Sequence, residues 1–134
     1  VERYTEQVKG DVKDLIIGFN EEYFFNNVDE DVERFVRKAI ETLIGLGAKV
    51  EEVKIPALKY AEYAELVTSL SEASAIHHRD LQSRPDDFGN DIRMLFELGE
   101  LFTAVDYLQA QQLRRQLKQD FEKAFELLSK KEAS

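Results

Sequence analysis

The residues best suited to chemistry lie in one stretch, residues 71–100, where the two histidines of the chain, His77 and His78, are adjacent. Neighbouring residues of a helix point about 100° apart, so the pair cannot hold one metal ion together. In a helical zinc site two ligands lie four residues apart on the helix and a third ligand completes the set. Neither Glu72 nor Asp80 lies four residues from His77. We therefore expect no metal site, and a half-buried His77 beside an exposed His78.

His77 and Asp80 could instead form an oriented general base, because residues three apart share one face of a helix. Such a base needs a nucleophile. The serines of the chain lie in no glycine-rich loop or strand-to-helix elbow of the kind that nucleophilic serines occupy. Asp86 and Asp87 are expected to be caps and turn residues, with Gly89 at positive φ. The sequence thus predicts no self-sufficient catalytic centre here.

The composition excludes several classes of function. The 27 acidic and 18 basic side chains give a formal charge of −9, which argues against a nucleic acid or an anionic membrane as partner. Without cysteine there is no thiolate nucleophile, and a cytoplasmic location fits. No glycine-rich phosphate loop occurs, and we expect no cofactor. We place a single domain at residues 1–131, followed by a short tail at residues 132–134.

The first half of the chain predicts two strands with a helix between them. An apolar run at residues 15–19 predicts a buried strand. Asp29 is placed to cap a helix with apolar residues at three- and four-residue spacing, and Gly47 to end it. The alternation in "AKVEEVKIP" predicts a second strand that stops at Pro56. This order predicts a βαβ unit, whose two strands are parallel.

The second half predicts about three helices. Apolar residues recur at helical spacing from Leu58 onwards, and the helix that they predict must end before Pro85. A short helix follows over residues 90–99, and Thr103 with Asp106 fits a capping box at the start of the last helix. The expected fold class is therefore α/β but helix-dominated, with one βαβ unit followed by about three helices.

Four stretches carry a resemblance through their order along the chain. They read "VKDLIIGFNEEYFF", "VDEDVERFVRKAIETLIGLGAKVEEVKIPAL", "SEASAIHH" and "RPDDFGNDIRMLFELGELFTAVDYLQAQQLRRQLKQDFEKAF". In this order they resemble an internal segment of the amidase signature family, which includes the A subunit of the glutamyl-tRNA amidotransferase. The resemblance covers residues 11–128. The stretch "AIHHRDLQSRPDDFG" looks more like the general amidases than like the amidotransferase.

The resemblance implies that a complete family member hydrolyses amide bonds and releases ammonia or an amine. The family's nucleophilic serine, second serine and lysine lie in a glycine- and serine-rich region before this segment, and no part of the chain resembles that region. The resemblance thus implies part of the amidase signature fold, a helical portion that lines the substrate cleft and is inactive alone. The cleft positions that it implies are Glu72, His77, Asp80, Phe88, Phe96 and Phe102.

Two short strands with open edges and several apolar helix faces predict that something covers this chain. We expect the remainder of an amidase domain, or a second copy of the chain in a homodimer. A different hypothesis is a non-catalytic interaction or regulatory domain, a stand-alone truncated paralogue. A third is a small helical protein that binds a metal or ligand through His77 and Asp80.

Overall fold

A computed structural model describes residues 3–8 and 10–132 as a helical protein with two short strands. The strands are β1 (Ile16–Phe19) and β2 (Lys49–Glu52). The α-helices are α1 (Glu21–Phe24), α2 (Glu30–Gly45), α3 (Ala61–Ser83), α4 (Asn90–Gly99) and α5 (Ala104–Glu132), and 3₁₀ helices cover Tyr4–Gln7, Pro56–Tyr60 and Pro85–Asp87. Among the described residues, none of the helices is long and apolar enough to cross a membrane.

The chain divides into two compact units. The first contains the residues up to Lys54 together with those from Lys123 onwards, and the second is Ile55–Glu122. Helix α5 contributes to both units, because the division falls between Glu122 and Lys123. The prediction of a single domain over residues 1–131 remains a prediction.

The first unit contains the predicted βαβ arrangement. Strands β1 and β2 pair in parallel, with Ile16 opposite Lys49 and Phe19 opposite Glu52. The amide of Val53 extends the ladder by donating to the Phe19 carbonyl at 2.8 Å. The prediction of two parallel strands is confirmed, and the first strand begins one residue later than the apolar run suggests.

Both predicted ends of α2 are confirmed. The Asp29 side chain accepts a hydrogen bond from the Asp31 amide at 2.9 Å and so satisfies a donor that the helix itself leaves free. Just after the helix, Gly47 has φ of 99°, a left-handed conformation that costs glycine little. Its amide donates to the Ile44 carbonyl at 2.9 Å, which closes the last turn.

The short helix α1 is absent from our prediction, which has a loop after the first strand. Its start is fixed by Asn20, whose side chain accepts from the Tyr23 amide at 3.0 Å and donates to the Val53 carbonyl at 2.8 Å. Asn20 is nearly buried, so both bonds are shielded from water. Asparagine followed by two glutamates is a recognisable helix start, but a single turn of helix is too short to show periodicity.

The second unit is built on α3 and α4, which pack closely. Its buried apolar side chains come from the residue before the second 3₁₀ helix, from that helix and from helices α3 and α5: Ile55, Ala57, Leu58, Ala64, Val67, Leu81 and Ala110. The Ser74 hydroxyl on α3 donates to the Phe96 carbonyl on α4 at 2.6 Å. The buried Asp120 carboxylate accepts from the Ala57 amide at 3.2 Å, which fixes the 3₁₀ helix against α5.

Two local predictions for this unit have opposite outcomes. The capping box is confirmed, because the Thr103 amide donates to Asp106 at 2.9 Å and the Asp106 amide donates back to the Thr103 hydroxyl at 3.2 Å. The positive φ at Gly89 is wrong, since φ there is −59° and ψ is 146°. Gly89 is the N-cap of α4, a position that takes extended backbone and needs no left-handed residue.

Candidate functional site

Three of the predicted cleft residues, His77, Phe88 and Phe96, form one aromatic cluster. The ring of His77 on α3 stacks on Phe96 of α4, with centroids 4.8 Å apart and planes 12° apart. Phe88, in the connection before α4, meets Phe96 edge to face at 5.5 Å and His77 at 6.0 Å. All three residues are half-buried, so the aromatic cluster keeps part of its surface accessible. It offers an apolar wall with one polar ring.

The geometry of His77 and His78 matches the sequence expectation. His77 is half-buried and stacked on a ring, whereas His78 is exposed and reaches a different neighbour, Glu100, with 2.7 Å between Nδ1 and Oε1. The two side chains therefore face different parts of the second unit, as adjacent positions on one helix must.

The structure gives Asp80 a different partner from the one that the general-base hypothesis requires. Its carboxylate accepts a hydrogen bond from Arg84 at 2.8 Å, one turn along α3. This hydrogen bond raises the pKa of the Arg84 guanidinium, and the charges of Asp80 and Asp87 add to the effect. Asp80 thus belongs to an ion pair at the end of α3.

Phe102 lines a groove between α3 and the α4–α5 corner, and Glu72 bonds to another residue of its lining. We call it the α3–α5 groove; it is open, about 650 Å³ in volume, and lined by Ser71, Ala75, His78, Glu100, Phe102 and Tyr107 among others. Glu72 accepts a hydrogen bond from the Tyr107 hydroxyl at 2.9 Å, beside the groove. The predicted cleft residues therefore separate into the aromatic cluster, the ion pair of Asp80 and the groove.

Sequence reasoning missed two residues that the groove brings to the site, Glu100 and Tyr107. Each pairs with a residue of α3 more than twenty positions away in the chain, and no helical spacing links positions so distant. The Glu72 hydrogen bond and burial raise the pKa of the Tyr107 hydroxyl, and the charge of Arg114 opposes them. The only signal in the sequence was that Glu100 and Tyr107 lie on either side of the start of the last helix.

The serine hydroxyls whose bonds the structure gives donate to oxygen atoms and not to the histidines. Ser69 donates to Glu65 at 2.9 Å, Ser74 to a carbonyl, and Ser83 to the Arg79 carbonyl at 2.8 Å. Ser71 has a buried hydroxyl with no hydrogen-bond partner in the described protein. Across residues 3–8 and 10–132, no three histidine, aspartate or glutamate side chains are grouped so as to hold a metal ion.

Comparison with known proteins gives the family. The model of the Amidase family matches residues 1–129. The chain belongs to the amidase family. This finding confirms the resemblance that the order of the four sequence stretches indicated.

Curated relatives of this amidase-family chain include both amidases and components of amidotransferases. It is 43% identical over 114 residues to an amidase of Pseudomonas putida, which covers 85% of the chain and 24% of that protein. It is 35% identical to the A subunit of the glutamyl-tRNA(Gln) amidotransferase of Geobacillus sp. (strain WCH70), covering 94% of the chain and 31% of the relative. The amidase-family chain thus spans less than a third of the length of these relatives.

Solved structures confirm the fold of the amidase-family chain. An amidase crystal structure superposes with a TM-score of 0.75 at 24% identity, covering 85% of this chain and 26% of the other. A bacterial aryl acylamidase of the amidase signature family superposes with a TM-score of 0.71 at 19% identity, covering 94% and 28%. The predicted class, helix-dominated α/β with two parallel strands, is part of the amidase signature fold.

Proposed function

We propose that this chain is the helical, cleft-lining part of an amidase-type hydrolase and that it does not hydrolyse amides alone. The observation that carries the proposal is the aromatic cluster, in which His77, Phe88 and Phe96 come together from α3, the connection and α4. Family membership supports amide-bond hydrolysis as the chemistry of the whole protein.

The aromatic cluster supports a role in substrate selection. A half-exposed wall of stacked rings gains free energy by covering an apolar group, and aromatic contacts add about 0.5–1.5 kcal/mol beyond the area buried. Because His77 is locked by Phe96 on one side and Phe88 on its edge, the wall is held in place before a substrate arrives. The wall would hold the apolar part of the substrate, and the amide group would react at catalytic groups elsewhere in the whole protein.

Lack of activity in the isolated chain is supported by the hydrogen bonds of the serines. Ser74 and Ser83 donate to backbone carbonyl oxygens, Ser69 donates to the exposed Glu65 carboxylate, and none of these three hydroxyls donates to a histidine. The resemblance assigns the nucleophile to a glycine- and serine-rich region that this sequence does not contain.

The first test measures ammonia released from glutamine and from short aliphatic and aryl amides by the purified chain. We expect no release above the protein-free blank. Release that a serine-directed reagent abolishes would contradict the proposal, because it would require a competent nucleophile within these residues.

The second test places the segment in a working enzyme. The 114 matched residues of the Pseudomonas putida amidase are replaced by those of this chain, and kcat/KM is compared for a small and a bulky apolar amide. Phe96→Ala should lower kcat/KM for the bulky amide by about tenfold and affect the small amide less, since one apolar group in a pocket contributes about 1–3 kcal/mol. Met94→Ala, at an exposed position of the same helix, is the control and should change neither value. An equal effect of both variants would refute the cleft-lining role.

An interaction or regulatory domain is the second candidate function, and α2 favours it. None of the described residues of α2 is buried, and Val32, Phe35 and Val36 form an apolar strip with exposures of 51%, 65% and 41%. A strip at this spacing is typical of a helix face that packs on something else. The occupant proposed is the remainder of an amidase domain or a second copy of the chain.

A cytoplasmic location belongs to the same proposal. It is supported by the absence of cysteine from the sequence. Fractionation of the producing cells tests it, and recovery with the membrane or secreted fraction would contradict it.

A further inference from the structure

Phe96 of α4 is held at two points by one face of α3. Its carbonyl oxygen accepts a hydrogen bond from the Ser74 hydroxyl at 2.6 Å, and its ring stacks on His77 with centroids 4.8 Å apart. Ser74 and His77 are three residues apart on α3, so both contacts lie on the same face of that helix. The backbone and the ring of a single residue are therefore fixed to one helix surface.

The hydrogen bond of Ser74 is unlike the usual bond of a serine in a helix. Such a serine commonly donates to the carbonyl four residues earlier in its own helix, as Ser83 does to Arg79 at 2.8 Å. Ser74 instead donates across to α4, although it is only 3% exposed and packs against the backbone of Gly99. Because a buried hydroxyl left unpaired is costly, the bond between the two helices is maintained.

The Ser74 bond fixes the rotation of α4 about its own axis. The contact at Gly99 limits the distance between the helices but does not by itself fix that rotation. A ring at the surface of a helix lies about 5–6 Å from the axis, so a turn of about 10° would move the Phe96 ring by about 1 Å. A shift of that size reduces the overlap with His77 and disturbs the edge-to-face contact with Phe88.

We propose that Ser74 is a positioning residue that sets the substrate selectivity of the aromatic cluster. It touches no substrate; it holds the Phe96 backbone and, through it, the ring that covers the apolar group of an amide. Loss of its hydroxyl weakens the binding of bulky apolar amides and leaves amides too small to reach the ring unaffected. This inference rests on the proposed function, because it assigns a role within that same site.

Ser74→Ala removes the hydroxyl without creating a new defect. Alanine is the most favourable residue in a helix interior, and the Phe96 carbonyl keeps the hydrogen bond that it accepts from the Glu100 amide at 3.2 Å. Ser83→Ala is the matched control, since it makes the same change in the same helix but removes a bond within α3 itself. Both variants should remain folded by far-UV circular dichroism.

The first measurement follows the imidazole proton signals of His77 by NMR in the purified chain at one alkaline pH. The ring current of Phe96 shifts these signals upfield, and His77→Gln identifies them among the signals of the two histidines. Ser74→Ala should move them part of the way towards their positions in Phe96→Leu, and Ser83→Ala should leave them in place. Unchanged His77 signals in Ser74→Ala would overturn the proposal.

The second measurement uses the chimeric Pseudomonas putida amidase with a bulky and a small apolar amide. Ser74→Ala should lower the ratio of the two kcat/KM values by about two- to tenfold, through a higher KM for the bulky amide, and Ser83→Ala should not change it. If Phe96→Ala lowers the ratio and Ser74→Ala does not, this inference is refuted and the proposed function stands. If Phe96→Ala has no effect either, the proposed function fails and the role of Ser74 with it.

Discussion

Gly99 is the position where one added methyl group should do the most damage. A Cβ built there would lie 2.1 Å from the Ser74 hydroxyl oxygen and 2.3 Å from the Leu70 carbonyl oxygen, both on α3. Real Cβ contacts do not fall below 3.0 Å. Since Leu70 presents its backbone, a side-chain rotation cannot relieve the overlap, and α4 must move from α3 by about an ångström.

The expected cost of Gly99→Ala follows from these contacts. Overpacking typically destabilises by about 1–3 kcal/mol, and a clash with backbone belongs at the upper end of that range. The gain in helix propensity from glycine to alanine offsets at most about 1 kcal/mol at this last residue of α4. We expect a net loss of about 2–3 kcal/mol of folding free energy, or a fall of roughly 10 °C in Tm.

The assay is thermal and urea unfolding followed by far-UV circular dichroism, with Gly45→Ala as the matched control. Gly45 is also the last residue of its helix, but a Cβ there meets nothing within 4 Å. Gly45→Ala should therefore be neutral or stabilising by up to about 1 kcal/mol. If Gly99→Ala is as stable as the unchanged chain, or gains stability as the control does, the close approach of α3 and α4 is refuted.

Three further predictions concern a cap, a tyrosine and association. Hydrogen bonds from Thr103 lower the pKa of Asp106 below its ordinary value of 3.8, so their stabilisation is present above that pH and is lost as the pH falls through the folded-state pKa. Asp106→Asn should therefore lower Tm at neutral pH and make little difference well below pH 3.8, and an equal effect at both would contradict this. Glu72→Gln should bring the raised pKa of Tyr107 back towards 10.0 in an NMR titration of labelled tyrosine; an unchanged value would show that the Glu72 bond is not its main cause. Light scattering at tens of micromolar should find a dimer that Phe35→Glu weakens by charging the apolar strip of α2, and a monomer at that concentration would count against self-association.

Most of the secondary structure could be predicted from the sequence, because the signals that set it act over a few residues. Asp29 reaches the amide two residues ahead, Gly47 ends a helix through its own φ, and Thr103 and Asp106 cap each other across three residues. Each contact lies within one turn of backbone, so local chemistry is sufficient. The error at Gly89 has a similar origin, since glycine there indicates a turn without specifying which one.

The order of the sequence stretches also determined the family, whereas the arrangement of the candidate site depended on tertiary structure. His77, Phe88 and Phe96 were selected together and do meet, but nothing in their spacing could give the stacking of two rings on different helices. The pairing of His78 with Glu100 and of Glu72 with Tyr107 spans 22 and 35 residues. Such contacts depend on how closely and at what angle α3 meets α4 and the start of α5, and that packing is the sum of many weak contacts that no local pattern records.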